Sequence, residues 1–424
     1  MTHENNSNGF DGLGIAPGLL ASLDRMKFTV PTPIQAKSIP TAIEGKDMIG
    51  IAQTGTGKNL AFGIPMIQRL AMIKGKGLVI LPTRELALQV EEHLHKIGRG
   101  IGLRTAVLIG GASLNVQIQQ LRKNPHIIIA TPGRLLDHMN QRTVDLHDVK
   151  ILVLDEADRM LDMGFAPQIN KILNAVPAER QTLLFSATMP DDIVRIATKH
   201  MKLPVRVEVA RAGSAAEGVE QELFVVKKED KIRLLEKLLL EYHGPMLVFS
   251  RTKFGAKKIT RAVNAMHHRA AEIHSNRSLN QRREALDGFK SGKYRVLIAT
   301  DIAARGIDVT GIEVVVNIDL PENAEDYVHR IGRTGRAGHK GRAISFACPD
   351  QRAEVREIER LMRINLAISK LPELPPATQN AAMNQRQFPD QHERRPQPRP
   401  NRPFHAASRT GGRGGNFPRR RFGR

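Results

Sequence analysis

The fold of this chain is decided by the stretch Met48-Ile49-Gly50-Ile51-Ala52-Gln53-Thr54-Gly55-Thr56-Gly57-Lys58-Asn59. It begins with apolar residues of strand length, and a helical pattern follows the glycines. Glycines let backbone N–H groups converge on phosphate oxygens, and the N-terminus of the following helix favours their negative charge. The stretch therefore predicts a strand, a nucleotide-binding loop and a helix, with Lys58 reaching the terminal phosphates. For the loop taken alone, a chance glycine-rich turn is the alternative.

Two positions of the loop differ from the general pattern G-x-x-x-x-G-K-[ST]. Ala52 stands in place of the first glycine, and Asn59 stands in place of the closing Ser or Thr. In this type of loop the closing hydroxyl binds Mg²⁺. An amide oxygen can also bind a hard cation, but Mg²⁺ demands near-ideal octahedral placement. We therefore expect Asn59 at the metal position, with nucleotide binding retained and hydrolysis weakened.

A second strand pattern ends in acidic residues, because Ile151–Leu154 leads directly into Asp155-Glu156-Ala157-Asp158. Carboxylates at the carboxyl end of a parallel strand lie where α/β sheets bind ligands. Asp155 is predicted to hold Mg²⁺, directly or through water, and Glu156 to orient and deprotonate an attacking water. The alternative is an acidic helix N-terminus, where Asp and Glu are favoured anyway. A phosphate-binding loop upstream favours the functional interpretation.

Short apolar runs alternate with amphipathic helical patterns, which is typical of parallel sheets covered by helices. The predicted strands are Met48–Ile51, Leu78–Leu81, Ala106–Ile109, Ile127–Ala130, Ile151–Leu154, Thr182–Phe185, Leu247–Phe249, Ala271–Ile273, Val296–Ile298, Val314–Ile318 and Ala343–Phe346. The alternation breaks near Val209–Gly218. We therefore predict an α/β fold with two similar domains, residues 1–208 and 220–370, and a linker at 209–219.

The C-terminal segment, residues 371–424, differs in composition from the rest. Residues 376–424 hold eleven Arg, two acids and no Lys, a formal charge of +9 within a total of +21. Such a segment cannot bury enough apolar area to offset its ordering entropy, so we predict a disordered basic tail. Its Arg and Phe side chains suit phosphates and unpaired bases, which favours nucleic acid as partner. A merely solvated linker is the alternative.

Composition also limits the class of protein. The single cysteine, Cys348, allows no internal disulfide and no cysteine-built metal site. Residues 1–8 are polar and lack the apolar core of a signal peptide. Apolar runs such as Ile151–Leu154 are far shorter than a membrane span. We therefore expect a cytoplasmic protein without a membrane partner.

Further short motifs stand in order along the chain. They are Pro31-Thr32-Pro33-Ile34-Gln35, Pro82-Thr83-Arg84-Glu85-Leu86-Ala87, Gly110-Gly111, Thr131-Pro132-Gly133-Arg134, Ser186-Ala187-Thr188, Val248-Phe249-Ser250-Arg251-Thr252, Ala299-Thr300-Asp301, Arg305-Gly306-Ile307-Asp308 and His329-Arg330-Ile331-Gly332-Arg333-Thr334-Gly335-Arg336. Together with Asp155–Asp158 this set resembles the DEAD-box family of ATP-dependent RNA helicases, and within it the bacterial RhlE-type group. The resemblance covers about Phe10 to Phe346.

This resemblance implies two tandem RecA-like domains, ATP and Mg²⁺ as cofactors, and RNA as partner. It implies RNA-stimulated ATP hydrolysis that locally unwinds short RNA duplexes or remodels RNA–protein complexes. Beside the phosphate loop, the residues implied to stack on the base, read adenine and contact the ribose are Phe28, Gln35 and Asp308. The residues implied to act in hydrolysis and its coupling are the arginine fingers Arg333 and Arg336, the linking His329, and the set Asp158, Ser186 and Thr188.

The resemblance also implies an RNA surface. Its residues are Arg84, Gly110, Gly111, Thr131 and Arg134 in the first domain and Arg251, Thr300 and Arg305 in the second. Because contacts to the RNA backbone carry little sequence information, we expect single-stranded or locally opened RNA to bind without sequence preference. Besides Asn59, the chain departs from the family pattern at three further positions. Glycine is usual where Lys27 and Ser275 stand, and a polar residue is common where Leu279 stands.

Two other functions stay open at this point. If Asn59 disables hydrolysis, the chain would be an ATP-sensitive RNA clamp or annealing protein. A DNA helicase would use the same ATP site. Ribosomal precursors and the RNA-decay machinery both stay open as partners.

Overall fold

The computed structural model describes residues 9–52, 55–209, 219–304, 309, 311–335 and 341–376. Within this part of the chain the strands form two seven-stranded sheets. Every strand pair in both sheets is parallel. The predicted α/β class with parallel sheets is therefore confirmed.

The first sheet is built from the N-terminal half of the chain. Its strands are β1 (Met48–Ile51), β2 (Lys76–Ile80), β3 (Thr105–Leu108), β4 (Ile127–Ala130), β5 (Val149–Leu154), β6 (Gln181–Ser186) and β7 (Val205–Glu208). They lie in the order β3-β4-β2-β5-β6-β1-β7. The helices of this half are α1 (Pro17–Arg25), α2 (Pro33–Ile43), α3 (Lys58–Met72), α4 (Arg84–Gly98), α5 (Leu114–Arg122), α6 (Pro132–Asn140), α7 (Ala157–Asp162), α8 (Ala166–Ala175) and α9 (Asp191–His200).

The second sheet repeats this plan. Its strands are β8 (Val219–Val225), β9 (Met246–Phe249), β10 (Ala270–Ile273), β11 (Val296–Ala299), β12 (Val314–Asn317), β13 (Gly341–Ala347) and β14 (Ala367–Ser369), in the order β10-β11-β9-β12-β13-β8-β14. Its helices are α10 (Lys231–Glu241), α11 (Lys253–Ala265), α12 (Leu279–Lys290), α13 (Asp301–Ala304), α14 (Ala324–Ile331) and α15 (Arg352–Met362). No helix among the described residues combines the length and apolar character that crossing a membrane requires.

Helices cover both faces of each sheet. In β2, Leu78 and Ile80 pack into one hydrophobic core while Val79 packs into the other. In β9, Val248 packs into one hydrophobic core of the second sheet and Leu247 packs into another. Because successive side chains of a strand point to opposite faces, burial of both faces requires continuous apolar runs rather than alternating ones. This is why the central strands are recognisable in the sequence.

Three strands lie outside the predicted apolar runs, namely β7, β8 and β14. Strands β7 and β14 each lie at one edge of their sheet, and most of their residues are exposed. Strand β8 lies next to an edge and carries polar residues between its apolar ones. Incomplete burial removes the need for a continuous apolar run, so the sequence pattern is weak there.

The chain remains attached to α10 beyond Leu371, where the predicted tail begins. Leu374 packs against a hydrophobic core of the second sheet. The Arg233 Nε donates a hydrogen bond of 2.7 Å to the Pro375 carbonyl oxygen. The rest of the predicted tail, residues 377–424, and most of the predicted linker, residues 210–218, lie outside the described residues.

Helix α1 ends on a left-handed residue that is not glycine. Lys27 has a φ of 61°. Its N–H donates to the Asp24 carbonyl at 2.9 Å, and the Phe28 N–H donates to the Leu23 carbonyl at 3.0 Å. This is the Schellman arrangement, whose left-handed position is most often glycine. The geometry explains why the family usually has Gly where this chain has Lys27.

Replacing Lys27 by Gly is expected to stabilise the first half of the chain by about 0.5–1 kcal/mol. Relief of left-handed strain outweighs the added freedom of the unfolded chain. The midpoint of urea denaturation, together with hydrogen exchange of the α1 amides, measures the effect. Lys37→Gly in the exposed interior of α2 is the matched control and should destabilise by about 1 kcal/mol. Shifts of the same sign for both variants would contradict the strain at Lys27.

Candidate nucleotide and RNA site

The carboxyl ends of the first-sheet strands bring the phosphate loop and the acidic motif together. Lys58 begins α3 and is buried, and its Nζ donates to the Ala52 carbonyl at 3.2 Å. The same Nζ lies 3.8 Å from Asp155 Oδ1. Gly55 and Gly57 both have a φ of 88°, a conformation that glycine adopts without strain. Loop, lysine and carboxylate thus form one site.

Asp155 is a buried carboxylate beside a buried ammonium group. Burial raises the pKa of Asp155 to about 6; Lys58 acts in the opposite direction, and Glu156 adds to the rise. Because burial removes water from the carboxylate and disfavours its charged form, a nearby cation stabilises that form. Mg²⁺ normally binds through one or two carboxylates together with substrate phosphates. The chemistry of this donor therefore fits a magnesium ligand.

Glu156 holds an uncommon backbone conformation at the start of α7. It is 2% exposed, with φ 52° and ψ 49°, in the left-handed region. For a residue other than glycine this costs on the order of 1–3 kcal/mol and is most often found at functional sites. The Arg159 Nε lies 3.7 Å from Glu156 Oε2.

Asp158 connects the acidic motif to the segment after β6. Its Oδ2 accepts hydrogen bonds from the N–H groups of Ala187 and Thr188, at 3.0 and 2.8 Å, and from the Thr188 hydroxyl at 3.0 Å. Its own N–H donates to Ser186 Oγ at 3.2 Å. Because the three bonds to Oδ2 converge on one carboxylate oxygen and the backbone bond to Ser186 is buried, movement of either segment would displace the other.

Gln35 holds the phosphate loop from the side of α2. Its Nε2 donates to the Gly57 carbonyl at 3.0 Å, and its Oε1 accepts from the Thr32 N–H at 2.9 Å. The Thr32 hydroxyl donates to the Thr56 carbonyl at 2.7 Å. A primary amide has a second N–H and a second lone pair, so Gln35 keeps capacity to bond adenine. Phe28, which precedes α2 in the same segment as Thr32, is 38% exposed.

Asn59 has a partner that the sequence does not indicate. Its Nδ2 lies 2.9 Å from Nδ1 of His93, which is on α4. This contact turns the amide nitrogen towards α4. A threonine at this position could not span the same gap, because its side chain is shorter.

The predicted RNA residues of the first half lie together. A Cβ on Gly111 would come within 2.4 Å of the Arg84 guanidinium, which packs over the two glycines. Arg134 Nη1 donates to the Ala112 carbonyl at 3.0 Å, one residue beyond them. Thr131 precedes α6 and its hydroxyl lies 3.5 Å from the Leu108 carbonyl. Arg84, Gly110, Gly111, Thr131 and Arg134 therefore cluster at the carboxyl ends of β2, β3 and β4.

In the second half, Arg251 and Thr300 follow β9 and β11, which are neighbours in the sheet. Arg251 Nη2 donates to the Leu320 carbonyl at 3.1 Å, and the Thr300 N–H donates to the Ile273 carbonyl at 3.3 Å. Arg333 Nε donates to the His329 carbonyl at 3.2 Å.

Arg159 joins the two halves and was not among the predicted site residues. Its side chain is 1% exposed, and it lines a small cavity together with Phe249, His329 and Arg333 of the second half. The acidic motif of the first half therefore meets His329 of α14 and the predicted arginine finger Arg333 through Arg159. The only sequence signal was its position directly after Asp158.

A buried ion pair also joins the halves. Arg282 Nη2 lies 2.9 Å from Glu85 Oε2, and both side chains are buried. Leu279, one turn earlier on α12, packs against a hydrophobic core of the first sheet. The leucine found where the family commonly has a polar residue thus contributes an apolar contact between the halves.

Several predicted site residues lie outside the described part of the chain. They are Gln53, Thr54, Arg305, Asp308 and Arg336.

Two family models match the chain. The model described as DEAD/DEAH box helicase matches residues 32–196, and that of the helicase conserved C-terminal domain matches residues 230–338. The DEAD-box ATP-dependent RNA helicase CshA of Bacillus cereus is 45% identical over 372 residues, which cover 87% of this chain and 71% of that protein. This chain belongs to the DEAD-box family of ATP-dependent RNA helicases.

Another relative and a solved structure agree with this membership. The ATP-dependent RNA helicase CshA of Listeria monocytogenes is 46% identical over 82% of this DEAD-box chain and 68% of its own length. The S. cerevisiae Dbp5 bound to RNA and ADP BeF3 matches with a TM-score of 0.77 at 31% identity, over 85% of this chain and 95% of that chain. The two sheets are accordingly tandem RecA-like domains.

Family membership corrects one prediction and closes one alternative. The relatives carry the name CshA, so the RhlE-type grouping suggested by the sequence is not supported. The relatives are RNA helicases, so the DNA-helicase alternative is not supported either.

We expect Glu85→Ala and Arg282→Ala each to weaken binding of single-stranded RNA in the presence of a non-hydrolysable ATP analogue by about 100-fold. Each variant leaves one buried charge unpaired when the halves are in contact, which costs about 3 kcal/mol or more. Fluorescence anisotropy measures the affinity.

The double variant tests whether the two side chains act together. It should bind no more weakly than either single variant, because it leaves no unpaired charge. Lys96→Ala is the matched control, since it breaks the exposed Lys96–Glu92 pair on the same helix and should change the affinity less than about fivefold. Fully additive losses would contradict the pairing.

Proposed function

We propose that this DEAD-box helicase couples RNA-stimulated ATP hydrolysis to local separation of short RNA duplexes or remodelling of RNA–protein complexes. The observation that carries the proposal is the junction at Arg159, where the acidic motif meets His329 and Arg333. A site divided between two domains is assembled only when they are in contact. ATP and RNA can therefore select the assembled form, and hydrolysis can release it.

The proposed roles around the phosphates follow from side-chain chemistry. Lys58 holds the terminal phosphates, and Glu156 orients and deprotonates the attacking water. Arg333 stabilises the charge that develops on the γ-phosphate, and Arg336 is its proposed companion. Asp155 and Asn59 would hold Mg²⁺, which supplies neutralising charge to the phosphates when bound.

The proposed coupling runs through Asp158. Its hydrogen bonds to Ser186 and to Thr188 tie the acidic motif to the segment after β6. When the terminal phosphate is lost, a shift at Glu156 would pass through Asp158 to this segment. His329 is proposed to make the corresponding link on the second domain.

RNA is proposed to lie across the carboxyl ends of both sheets. Arg84, Arg134 and Arg251 would contact phosphates, and Gly110 and Gly111 would allow the backbone to approach closely. Thr131 and Thr300 supply hydroxyls, and Arg305 is the further proposed contact. Bound in this way, the core reads phosphates and 2′-hydroxyls, so its binding is independent of sequence. A cytoplasmic location, and ribosomal precursors or RNA-decay machinery as partners, are part of the proposal.

The Asn59–His93 contact favours a second candidate, a hydrolysis-impaired RNA clamp. The contact directs the amide nitrogen to α4, and an amide nitrogen cannot ligate a cation. Mg²⁺ could then be bound only by the side-chain oxygen of Asn59. The orientation of that side chain is set by its contact with His93 and not by the metal. ATP would still close the domains on RNA, while release would be slow.

We expect Asn59→Thr to raise the rate constant of RNA-stimulated ATP hydrolysis by about tenfold or more, equivalent to about 1.4 kcal/mol of barrier. The hydroxyl restores the usual metal ligand and removes the hydrogen bond to His93. Phosphate release in Mg²⁺, with and without single-stranded RNA, measures the rate.

One control variant and two possible outcomes complete the test. Glu156→Gln in the Asn59→Thr background should abolish turnover while ATP binding persists. Equal RNA-stimulated rates in the unaltered chain and Asn59→Thr would show that the amide serves the metal position well. Absence of turnover in both would favour the clamp.

The basic tail is proposed to add affinity for nearby structured RNA. Deleting residues 377–424 should weaken RNA binding and flatten the dependence of log K on log salt. For single strands, the slope falls by about 0.7 for each phosphate that the protein no longer neutralises. The matched control keeps the tail's length but replaces its Arg by Gln, and should behave like the deletion. An unchanged slope in both would contradict a role for the tail.

A further inference from the structure

A pocket on the second domain has no role in the proposed mechanism. It has a volume of about 300 Å³ and lies between the start of α11 and the loop after β10. Its outer wall is formed by Lys253, Phe254 and Lys257. Its inner wall includes Glu272 and His274, and Arg277 completes the rim.

The outer wall combines an exposed aromatic ring with positive charge. Phe254 is 72% exposed, which is unusual for so large an apolar side chain. The Lys253 Nζ lies 5.4 Å from the centre of the ring, and Lys257 is exposed one turn further along α11. Aromatic rings with neighbouring cations are the platforms on which single-stranded nucleic acids stack their bases.

The inner wall is polar and incompletely satisfied. Glu272 and His274 are 6% and 4% exposed, and His274 Nε2 lies 3.4 Å from Glu272 Oε1. The Glu272 Oε2 and both ring nitrogens of His274 have no hydrogen-bond partner among the described residues, although Glu272 Oε1 pairs with Arg277. Buried polar atoms without hydrogen bonds are costly, so such a group calls for a ligand or water. The edge of a nucleobase carries donors and acceptors that can satisfy both residues.

The pocket continues the proposed RNA surface. Arg251 lies three residues before Phe254 in the chain, and Thr252 caps α11 by accepting from the Gly255 N–H at 3.0 Å. The Thr300 N–H donates to the Ile273 carbonyl, immediately before His274. Of the three proposed RNA residues of the second domain, Arg251 and Thr300 thus adjoin the pocket, one at each wall.

We propose that this pocket is a nucleobase subsite, in which one base of the bound RNA strand stacks on Phe254. Lys253, Lys257 and Arg277 neutralise the adjoining phosphates, and Glu272 and His274 face the edge of the base. The inference rests on the proposed RNA path. The inference goes beyond that path by adding a base contact to a surface whose other proposed contacts are all with the RNA backbone.

The test uses the full chain with a non-hydrolysable ATP analogue and fluorescein-labelled oligouridylate. Phe254→Ala should weaken binding by about tenfold, as loss of one base–aromatic stack does, whereas Phe254→Tyr should bind as the unaltered chain does. Leu240→Ala is the matched control, because Leu240 is an exposed apolar residue of the same domain, at 58%, on α10. Its affinity should be unchanged.

A second readout reports stacking itself. RNA strands carrying 2-aminopurine at successive positions should show one position quenched by the unaltered chain. That quenching should disappear with Phe254→Leu, which keeps an apolar side chain but no aromatic face. The subsite would be overturned if Phe254→Ala bound RNA within twofold of the unaltered chain and Phe254→Leu retained the quenching. The exposed ring and its neighbouring cations would then fit an acidic protein partner instead. If the unaltered chain fails to bind RNA at all, the proposed RNA path fails and the subsite with it.

Discussion

Burial of charge at the carboxyl ends of apolar parallel strands is the constraint on which this structure depends. Lys58, Asp155 and Asp158 are all at most 5% exposed, and an isolated buried charge would cost several kcal/mol. Lys58 is stabilised by the Ala52 carbonyl and by Asp155, and the Asp158 carboxylate by donors of the segment after β6. Burial raises the pKa of Asp155 even though Lys58 lies beside it. A bound cation would therefore stabilise the charged form of Asp155.

The same constraint governs the contact between the domains. Arg159 and the pair Glu85–Arg282 are buried where the domains meet. A buried ion pair roughly breaks even between desolvation and attraction, so such contacts do not by themselves hold the domains together strongly. The balance between assembled and separated forms is then open to small differences in ligand affinity. This is what a cycle driven by ATP and RNA requires.

Two left-handed residues that are not glycine flank the nucleotide site. Lys27 ends α1 just before the segment that carries Phe28 and Gln35, and Glu156 begins α7. Each conformation is held by surrounding hydrogen bonds and packing rather than by its own preference. At Glu156 the conformation begins α7 within the acidic motif, whereas at Lys27 it follows the end of α1.

The sequence by itself determined the central strands, the phosphate loop and the acidic motif. Runs of apolar residues and the chemistry of individual side chains are local properties that can be recognised without the fold. It did not determine the edge strands β7 and β14, or the contact of Leu374 with the core, where burial is partial. Only the tertiary structure decided the partners of Asn59, Glu85 and Phe254. Glu85 and Arg282 are 197 residues apart in the chain. Such partners depend on strand order and on how two domains pack, and no local pattern encodes either.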